Sequence, residues 1–415
     1  MIGLVDGNNF FVSCERVFDR RLAGRAVAVL SNNDGCCVSR SDEFKALGIA
    51  MGTPHFRLRE REAAGEVFCR SSNYELYADI SRRIVSILRD EAAEVEQYSI
   101  DEAFIKPGAA AETGLPAYGR RLRAKILRWT GVPCGVGFAT TKTLAKIANH
   151  IGKKSPGGVF AMPDDPSKTL SSLGAAEVWG VGRRLEARLR AARIFTALQL
   201  RDAGDDTLRS VGGVTLLRTA MELRGIACHD GRDGGDAPDS VSCSRSFGTP
   251  ATTLEALEES LASFASQAAA KLRRHGLLAS GCTFYAQVFA SGGGGPVAER
   301  TAIFGKPTDA TNEIVAAISR EVPALFRKGL RYRKTGVMFF GFEKPGTPRQ
   351  ADLFSGAPAP ERSRLFGAVD ALNARYGKGT VFSAAEGIGG RSWHMQQTNR
   401  SKRATTRWDE LPSVR

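Results

Sequence analysis

The order of apolar segments constrains the fold most, because the same β-α-β-β-α-β order occurs twice along the chain. The first occurrence begins with the apolar run Ile2 to Val5, ends near residue 165, and is interrupted by an inserted segment from Phe11 to about Arg70. The second lies within residues 241–343. Strands that alternate with amphipathic helices in this way predict mixed sheets covered by helices. We therefore expect an α+β chain with two such units.

The regions outside these two units have different patterns. A chain of 415 residues is too long for one hydrophobic core, so several domains are expected. Residues 166–230 show helical patterns throughout, and residues 231–240 are rich in Gly and Asp, which is typical of a linker. Residues 344–415 are rich in Pro, Gly and Arg and predict an extended C-terminal tail.

The charge balance favours a polyanionic partner. Lysine and arginine number 58 against 44 acidic residues, which gives a formal net charge of +14 and a pI near 9.6. Such a balance suits a nucleic acid, and a generic basic surface is the alternative. No apolar run approaches the roughly 20 residues that a spanning helix needs. The N-terminus predicts a strand that ends at Asp6 rather than a signal peptide, so we expect a cytoplasmic protein.

Cysteine and histidine usage indicates reduced thiols rather than a metal framework. No two cysteines form a CxxC pair, and the five histidines are scattered, so no zinc pattern is evident. We expect mostly buried thiols. The eight cysteines are Cys14, Cys36, Cys37, Cys69, Cys134, Cys228, Cys243 and Cys282.

Three acidic residues are the strongest candidates for chemistry. Asp6 ends the first predicted strand, and Asp101 and Glu102 lie at a bend between two predicted strands within residues 95–105. If these strands are neighbours in one sheet, the three carboxylates lie close together and repel one another unless cations lie between them. Two Mg²⁺ ions about 4 Å apart are the usual arrangement for phosphoryl transfer. Taken singly, each acid has the alternative interpretation of a solvated turn residue.

The inserted segment has local signals of its own. Asp34-Gly35 lies between two β-prone runs and predicts a hairpin. Ser41 is placed to cap a short helix that carries Lys45 one turn in and ends at Gly48.

Motifs along nearly the whole chain resemble those of the Y-family (translesion) DNA polymerases. Residues 6–15 (DGNNFFVSCE) and 98–104 (YSIDEAF) are similar to the metal-binding motifs of that family. Further stretches resemble its UmuC-like branch, the catalytic subunits of DNA polymerase V: residues 30–36 (LSNNDGC), 71–79 (SSNYELYAD) and 406–412 (TRWDELP). The resemblance implies an error-prone polymerase that acts in DNA damage tolerance and SOS mutagenesis of a bacterium, associated with the nucleoid when active.

The resemblance also implies a right-hand polymerase architecture. The implied parts are a ferredoxin-like palm, small fingers, a helix-hairpin-helix thumb, a linker, a β-α-β-β-α-β little finger and a C-terminal tail. In chain order, the palm is residues 1–10 and 71–165, the fingers 11–70, the thumb 166–230, the linker 231–240, the little finger 241–343 and the tail 344–415.

The site residues implied by the resemblance form two groups. The metal ligands are Asp6, Asp101 and Glu102, with the Gly7 carbonyl as a further ligand. Phe11, with Phe10 beside it, matches the steric gate, a ring under the sugar of the incoming nucleotide that would collide with a ribose 2′-hydroxyl. The remaining nucleotide-binding positions are Ser39, Arg40, Lys45 and Lys153.

Two substitutions depart from the family pattern around the nucleotide. UmuC-like proteins often have tyrosine where this chain has Phe11, so the bulk is kept and a hydroxyl is lost. A tyrosine that commonly lies three residues before the fingers cation is replaced by Asp42, which leaves that phosphate contact open, and Arg40 is the residue that would compensate. Each lysine has a solvated surface charge as its alternative interpretation.

Two further regions predict DNA contacts. Gly180, Gly182 and Arg183 lie in a stretch that resembles a helix-hairpin-helix, in which glycines and helix N–H groups approach a phosphate, and residues 211–213 are a weaker second copy. In the implied little finger, Arg331 and Arg333 fall on one face if strand geometry holds, and Arg245 lies on its first strand. An ordinary charged edge strand is the alternative.

The C-terminal region predicts protein partners. Gln350, Leu353 and Phe354 belong to a short stretch that resembles the motif by which bacterial polymerases bind the sliding clamp. By resemblance, the tail also meets a dimer of processed UmuD, and a RecA-like filament is a further implied partner. Two rival functions are a two-metal nuclease and a DNA- and clamp-binding scaffold without activity.

Overall fold

The chain forms two compact units in a computed structural model that describes residues 1–108, 111, 114–229, 238–290, 294–347, 361–389, 391 and 393–411. At residues 361–364 only the backbone is described. The first unit comprises Met1–Gly235 and Thr398–Arg415, and the second comprises Asp236–Gln397. The second unit is therefore an insertion in the chain of the first.

The first unit contains two sheets and most of the helices. Its strands are β1 (Ile2–Gly7), β2 (Val27–Leu30), β3 (Cys37–Arg40), β4 (Phe68–Ser71), β5 (Ala92–Gln97), β6 (Glu102–Pro107), β7 (Cys134–Ala139) and β8 (Val159–Ala161). Its helices are α1 (Phe10–Phe18), α2 (Asp42–Ala46), α3 (Arg59–Ala63), α4 (Tyr74–Glu91), α5 (Leu115–Thr130), α6 (Lys142–Lys154), α7 (Ser167–Ser171), α8 (Arg183–Ala191), α9 (Ala197–Asp202) and α10 (Asp205–Leu223).

The larger sheet has the strand order β5-β6-β1-β7-β8. Because side chains alternate along a strand, β1 contributes Leu4 to one face and Val5 to the other. Val5 packs in a core with Leu88 and Tyr118 from helices α4 and α5. Leu4 packs in a second core with α6 and the helices of residues 166–223. Helices therefore cover both faces, and the central strand β1 delivers Asp6 to one edge of the sheet.

Helix α6 lies unusually close to strand β7 because β7 has glycine at the contact. A Cβ atom added at Gly137 would lie 2.0 Å from the backbone nitrogen of Asn149. At Gly135 an added Cβ would lie 2.6 Å from Cγ of Lys153. Backbone therefore packs on backbone here, and Lys153 is brought next to the end of β1, where Asp6 pairs with Gly135.

The smaller sheet forms the inserted segment and confirms its local predictions. Its order is β3-β2-β4, with β2 and β3 antiparallel on either side of Asp34-Gly35. Ser41 caps α2, since its Oγ accepts a hydrogen bond from Phe44 N at 3.2 Å. The same Oγ accepts from Val27 N at 3.0 Å, so the cap also fixes α2 to the sheet.

The region 166–223 is helical, as predicted, and is joined to α6 through a buried carboxylate. Glu222, 1% exposed, accepts a hydrogen bond from Thr143 N at 2.9 Å at the start of α6. Its other oxygen accepts from Cys228 N at 2.7 Å. The Glu222 carbonyl accepts from Thr141 Oγ1 at 2.8 Å.

The second unit has the predicted β-α-β-β-α-β order. Its sheet runs β11-β10-β12-β9, and α11 and α12 pack on one face through a core that includes Leu261, Phe264 and Ile314. The bounds are β9 (Val241–Ala251), α11 (Leu254–Arg274), β10 (Leu278–Val288), β11 (Val297–Thr308), α12 (Thr311–Glu321), β12 (Tyr332–Glu343) and α13 (Glu361–Tyr376).

The described part of the C-terminal region differs from the extended tail that we expected. It contains α13, whose Asp370 accepts hydrogen bonds from Arg273 at 2.7 and 3.0 Å. Trp393 is 5% exposed, and its ring lies 5.7 Å from that of Phe264 in the core of the second unit. Composition alone misses this packing because a few apolar anchors among Gly, Pro and Arg produce no periodic pattern.

The described residues include all the cysteines and most of the helical sequence of the chain. All eight cysteines lie there as thiols without disulfide bonds, and five of them are buried. Among the described helices, none combines the length and apolar character needed to cross a membrane.

The contact between α6 and β7 predicts a strict need for glycine at residue 137. Gly137→Ala should lower the free energy of unfolding by about 3 kcal/mol, because helix and strand must separate to admit the methyl group. The control is Gly157→Ala, where an added Cβ meets nothing within 4 Å. Urea unfolding followed by circular dichroism compares the two, and equal stability of both variants would contradict this account.

Candidate active site

The sheet brings the three predicted acids together at one edge. Strands β1 and β6 are antiparallel neighbours, and Asp6 is the register partner of Glu102. Gly7, the last residue of β1, donates from its nitrogen to the carbonyl of Asp101 at 2.9 Å. The expectation that these strands are adjacent in one sheet is confirmed.

A serine that the sequence analysis did not single out shapes the bend before β6. Ser99 Oγ accepts hydrogen bonds from the nitrogens of Asp101 at 3.2 Å and Glu102 at 3.0 Å. It also donates to Oδ1 of Asp101 at 2.6 Å. A hydroxyl that binds backbone N–H groups two and three residues ahead is a common turn device. Ser99 thereby fixes the direction of the Asp101 carboxylate.

Two lysines of α6 neutralise the acids. Lys153 Nζ lies 2.6 Å from Oδ1 of Asp6, and Lys146 Nζ lies 3.0 and 2.8 Å from the two carboxylate oxygens of Glu102. Lys153 was predicted to contact phosphate, and the structure places it on a carboxylate. Lys146 was not predicted. Its spacing of seven residues from Lys153, two helical turns, is the signal that would have identified it.

Aromatic rings surround the Lys146 ammonium group. Its Nζ lies 4.5 Å from the ring centroid of Tyr98 and 5.2 Å from that of Trp179. The two rings meet edge to face at 5.6 Å. Cation–π attraction adds to the ion pair with Glu102, so this lysine is held on three sides.

Burial raises the pKa of the Asp6 carboxyl to about 6. This value also includes the opposing effect of the Lys153 ammonium group, which lowers the pKa, and the smaller effects of the Glu102 and Asp101 carboxylates, which raise it. The site therefore combines three acids with two amino cations in a partly desolvated position. Such a perturbed carboxylate beside other carboxylates is typical of a functional site.

The donor set fits a hard divalent cation. Carboxylate oxygens are the ligands that Mg²⁺ prefers. In the described structure, ammonium groups already lie on Asp6 and Glu102, so positive charge is stable at both positions. Asp6, Asp101, Glu102 and Gly7 at the end of β1 are the residues that could hold such a cation.

The predicted gate residue lies on a stack of aromatic rings. Asn9, with φ 48° and ψ 45°, precedes α1, whose first turn carries Phe10 and Phe11. Phe10 is buried in the core at 3% exposure. The Phe11 ring is half-buried and stacks on Tyr77 with centroids 4.6 Å apart and planes 14° apart. Tyr74 meets the same ring edge to face at 5.7 Å.

The predicted fingers cation is engaged by an acid. Lys45 Nζ donates to Oδ1 of Asn9 at 2.7 Å and to Oδ1 of Asp42 at 2.9 Å. The hydrogen bond from Lys45 holds the pKa of Asp42 below its usual value. Asp42 is thus the present partner of Lys45 beside the first turn of α1.

The two neighbouring nucleotide-binding candidates lie on β3. Ser39 is buried, at 7% exposure. Arg40 donates from Nη1 to the carbonyl of Ile49 at 2.5 Å. Arg40 therefore has a backbone carbonyl of the inserted segment as a partner, and its compensating role at the phosphate stays a prediction.

The glycines predicted to approach DNA lie immediately before α8. Gly180 has φ +88°, a conformation that favours glycine, and Gly182 is the N-cap of α8, which begins at Arg183. The start of α8 presents backbone N–H groups as potential donors. In the weaker second copy, Gly213 (φ 69°, ψ −164°) interrupts α10.

The arginines predicted in the second unit do not share one face by simple alternation. Arg331 precedes β12, and a bulge between Tyr332 and Lys334 places Arg333 at an interruption of the pairing. Arg245 donates to Gln267 of α11 at 3.4 Å, on the helix-covered side of β9.

Another cation of the second unit, Lys334, is on the face of the sheet away from the helices. Its Nζ lies 5.8 Å from the ring centroid of Tyr285. Gly336 lies on the same face, because a Cβ atom added there would contact Tyr285 and Ser244. The sequence analysis did not single out Lys334 because the bulge that reverses the alternation has no clear sequence signal.

A further group of possible metal ligands lies in the inserted segment. His55, Glu62 and Cys69 bring their potential ligand atoms within 4.8 Å of one another, a grouping that the scattered histidines did not suggest. His55 Nε2 lies 2.9 Å from Glu62 Oε2, so these two residues form a polar pair.

The residues predicted to bind the sliding clamp, Gln350, Leu353 and Phe354, lie outside the described residues.

Family models match most of the chain. The impB/mucB/samB family matches residues 5–150, its C-terminal domain matches residues 238–353, and a domain of unknown function (DUF4113) matches residues 363–414. The chain is 39% identical to Protein UmuC of Salmonella typhimurium over 430 residues, with 100% of both chains covered. It is 38% identical to Protein MucB of Escherichia coli over 425 residues, with 99% of each covered.

Solved structures share the fold at low sequence identity. A Y-family DNA polymerase chimera matches with a TM-score of 0.63 and 20% identity, covering 83% of this chain and 100% of that one. The insertion ternary complex of Dbh DNA polymerase matches with a TM-score of 0.52 and 19% identity over the same shares. The predicted polymerase fold class is confirmed.

The ion pair between Lys153 and Asp6 predicts a pH effect. Lys153→Met should raise the pKa of Asp6 above about 6, because the ammonium group that favours the ionised carboxylate is removed. A carboxyl binds a divalent cation only when ionised, so Mn²⁺ binding should be lost as the pH falls through this pKa, at a higher pH in the variant. Carboxyl ¹³C NMR and Mn²⁺ titration measure both quantities. Lys154→Met, one residue along and exposed, is the control, and an unchanged Asp6 pKa in Lys153→Met would refute the assignment.

Proposed function

Because the chain belongs to the impB/mucB/samB family, we propose that it is an error-prone translesion DNA polymerase that adds deoxynucleotides to a primer 3′-hydroxyl. The observation that supports this activity is the convergence of Asp6, Asp101 and Glu102 at one sheet edge, near a helix whose first turn presents Phe11. Primer–template DNA and deoxynucleoside triphosphates are the substrates. The setting is DNA damage tolerance and SOS mutagenesis.

Two Mg²⁺ ions are the proposed cofactors. Asp6, Asp101, Glu102 and the Gly7 carbonyl would hold them. When bound, such ions supply acidity to the 3′-hydroxyl and charge neutralisation to the phosphates. Lys153 neutralises Asp6 in the described structure and would turn to phosphate when Asp6 takes a metal, whereas Lys146 would stay between the rings of Tyr98 and Trp179.

The triphosphate is proposed to bind between the inserted segment and α6. Lys45 would exchange Asp42 for the β- and γ-phosphates, which are stronger acceptors for an ammonium group. Lys153 approaches from α6, and Ser39 and Arg40 are the further phosphate-binding candidates. Catalysis then rests on positioning and charge neutralisation.

The ring of Phe11 favours a polymerase over the two rival functions. A two-metal nuclease uses similar acids but has no need for a half-buried ring on an aromatic stack beside them. An inactive scaffold has no need for three converging carboxylates with a raised pKa at Asp6. A ring under the sugar and cations for a triphosphate are specific to nucleotide addition.

Duplex DNA is proposed to contact both units. The start of α8, with Gly180, Gly182 and Arg183, would bind phosphate through backbone N–H groups. In the second unit, Arg331 and Arg333 are the predicted phosphate contacts. Lys334, on the sheet face away from the helices, is proposed as a further phosphate contact. Arg245 remains a candidate at the sheet margin.

Protein partners are proposed through the C-terminal region. A sliding clamp would bind Gln350, Leu353 and Phe354, and a UmuD′-like dimer and a RecA-like filament would assist synthesis. The 39% identity to Protein UmuC over the full chain supports the UmuC-like assignment. Extension past an abasic site, with and without these partners, would identify which of them the chain requires.

Loss of one acid should abolish synthesis without preventing DNA binding. Asp101→Asn should reduce primer extension by more than about a hundredfold, since residues that merely orient metal ligands already contribute about 10- to 100-fold. Duplex affinity, measured by fluorescence anisotropy, should stay unchanged. Asp90→Asn, an exposed carboxylate on α4, is the matched control.

The same primer, incubated with and without deoxynucleotides, separates the three functions. Extension identifies a polymerase, shortening identifies a nuclease, and neither change identifies a scaffold. Extension by Asp101→Asn at the parent rate would exclude the proposed metal site.

Removal of the gate ring should relax sugar selection. Phe11→Ala should raise the use of ribonucleotides relative to deoxynucleotides by about tenfold to a hundredfold, because space opens for a 2′-hydroxyl. Phe18→Ala, an exposed ring at the other end of α1, is the control. Single-nucleotide insertion kinetics with both sugars provide the measurement, and unchanged selectivity in Phe11→Ala would remove Phe11 from the proposed gate.

A further inference from the structure

The C-terminal segment, residues 398–411, returns to the first unit and lies along the edge of its smaller sheet. Ser71, the last residue of β4, donates from its nitrogen to the Asn399 carbonyl at 3.1 Å. Its Oγ accepts from the Asn399 nitrogen at 2.9 Å, and it forms a parallel bridge with Arg400. A chain added beside an edge strand in this way is bound through its backbone and has a defined register.

Polar contacts fix both ends of the segment. Thr398 donates from its nitrogen and from Oγ1 to Asp34 Oδ2, each at 2.9 Å. Arg403 lies 3.4 Å from Glu75 of α4 and donates to Glu410 within the segment. The residues between these anchors therefore have a set position against the first unit.

Asn73 connects the segment to the start of α4. It is 1% exposed, and its Nδ2 donates to Ser401 Oγ at 2.9 Å and to the Ser401 carbonyl at 3.2 Å. Its Oδ1 accepts from Leu76 N at 3.4 Å as the N-cap of the helix. The side chain that begins α4 is thus bound directly by Ser401.

A buried carboxylate lies between the segment and the gate. Glu15 of α1 is 1% exposed, and its Oε1 accepts from Ser401 Oγ at 3.0 Å and from the Tyr77 hydroxyl at 2.7 Å. Burial raises the pKa of this carboxyl, whereas its two hydroxyl donors lower it. A buried acid needs such partners, so Ser401 and Tyr77 are held to it.

Tyr77 completes the connection to the nucleotide site. Its ring is fully buried and stacks on Phe11 at 4.6 Å. A continuous series of contacts therefore runs from Ser401 through Glu15 and Tyr77 to Phe11. Its first hydrogen bond, from Ser401 to Glu15, joins residues that are 386 positions apart in the sequence.

We propose that the C-terminal segment is a positioning element of the nucleotide site, in which Ser401 acts through Glu15 and Tyr77 to hold the Phe11 ring. This inference rests on the proposed role of Phe11 as a gate. Steric selection against ribonucleotides requires a ring with a fixed position, because a small displacement of the ring would admit a 2′-hydroxyl. The segment lies within the region matched by the domain of unknown function, and this role assigns part of that domain to sugar selection.

Ser401→Ala in the full-length chain tests the inference. It removes the donor to Glu15 and leaves the backbone contacts of the segment in place. The ratio of kcat/KM for ribonucleotides to that for deoxynucleotides should rise about threefold to tenfold, the effect of one hydrogen bond. The kcat for deoxynucleotides should stay close to that of the parent protein. Single-nucleotide insertion kinetics give both values.

Three further variants distinguish positioning from a general loss of stability. Thr398→Ala removes a hydroxyl bond of the same segment to Asp34 and should leave sugar selectivity unchanged. Glu15→Gln keeps the accepting oxygen and should retain selectivity, whereas Glu15→Leu should relax it. If Glu15→Leu does not fold, Tyr77→Phe keeps the ring, removes the hydroxyl bond, and should show the same relaxation.

A double variant separates failure of this inference from failure of the gate. Phe11→Ala with Ser401→Ala should be no less selective than Phe11→Ala alone, because Ser401 acts only through the ring. Parental selectivity in Ser401→Ala and Tyr77→Phe, with relaxed selectivity in Phe11→Ala, overturns the role of the segment alone. Parental selectivity in Phe11→Ala overturns the gate and this inference together.

Discussion

The close packing of α6 on β7 is the constraint on which the site depends. Gly135 and Gly137 have no Cβ, so the helix backbone lies against the strand, and Lys153 reaches Asp6 at the end of the neighbouring strand. Lys146, two turns earlier on the same helix, reaches Glu102. Without these cations, three carboxylates at one sheet edge would repel one another in a partly desolvated position. A feature of backbone packing thus determines the charge balance of the site.

Three cations around the candidate site have acidic partners in the described structure. Lys153 binds Asp6, Lys146 binds Glu102, and Lys45 binds Asp42, which replaces a tyrosine common in the family. In the proposed reaction, Lys153 and Lys45 exchange their carboxylate partners for phosphate when metal and triphosphate bind. The Lys45–Asp42 pair is exposed, so its contribution is small and the exchange is easy. The other two pairs lie deeper, and a divalent cation is the species able to replace an ammonium group there.

Local chemistry made much of the fold predictable, whereas long-range packing did not. The Asp34-Gly35 hairpin, the Ser41 cap and both β-α-β-β-α-β orders depend on turn residues and periodicity, and all are confirmed. The meeting of Asp6 with Glu102 followed from the expected strand neighbours. Ser99 and Lys146 were missed because their directions depend on a bend and a helix contact. The bulge at Arg333 and the return of residues 398–411 have no local pattern to reveal them.

The identity of residue 11 supports the role proposed for the C-terminal segment. A tyrosine at this position, frequent in UmuC-like proteins, has a hydroxyl that can fix the ring by a hydrogen bond. Phe11 has none, so its position rests on contact with other rings, chiefly the stack on Tyr77. Tyr77 is in turn fixed by its hydroxyl on Glu15, a carboxylate shared with Ser401. If Phe11 is the gate, as proposed, the orientation of its ring depends on Tyr77 and, through Glu15, on the C-terminal segment.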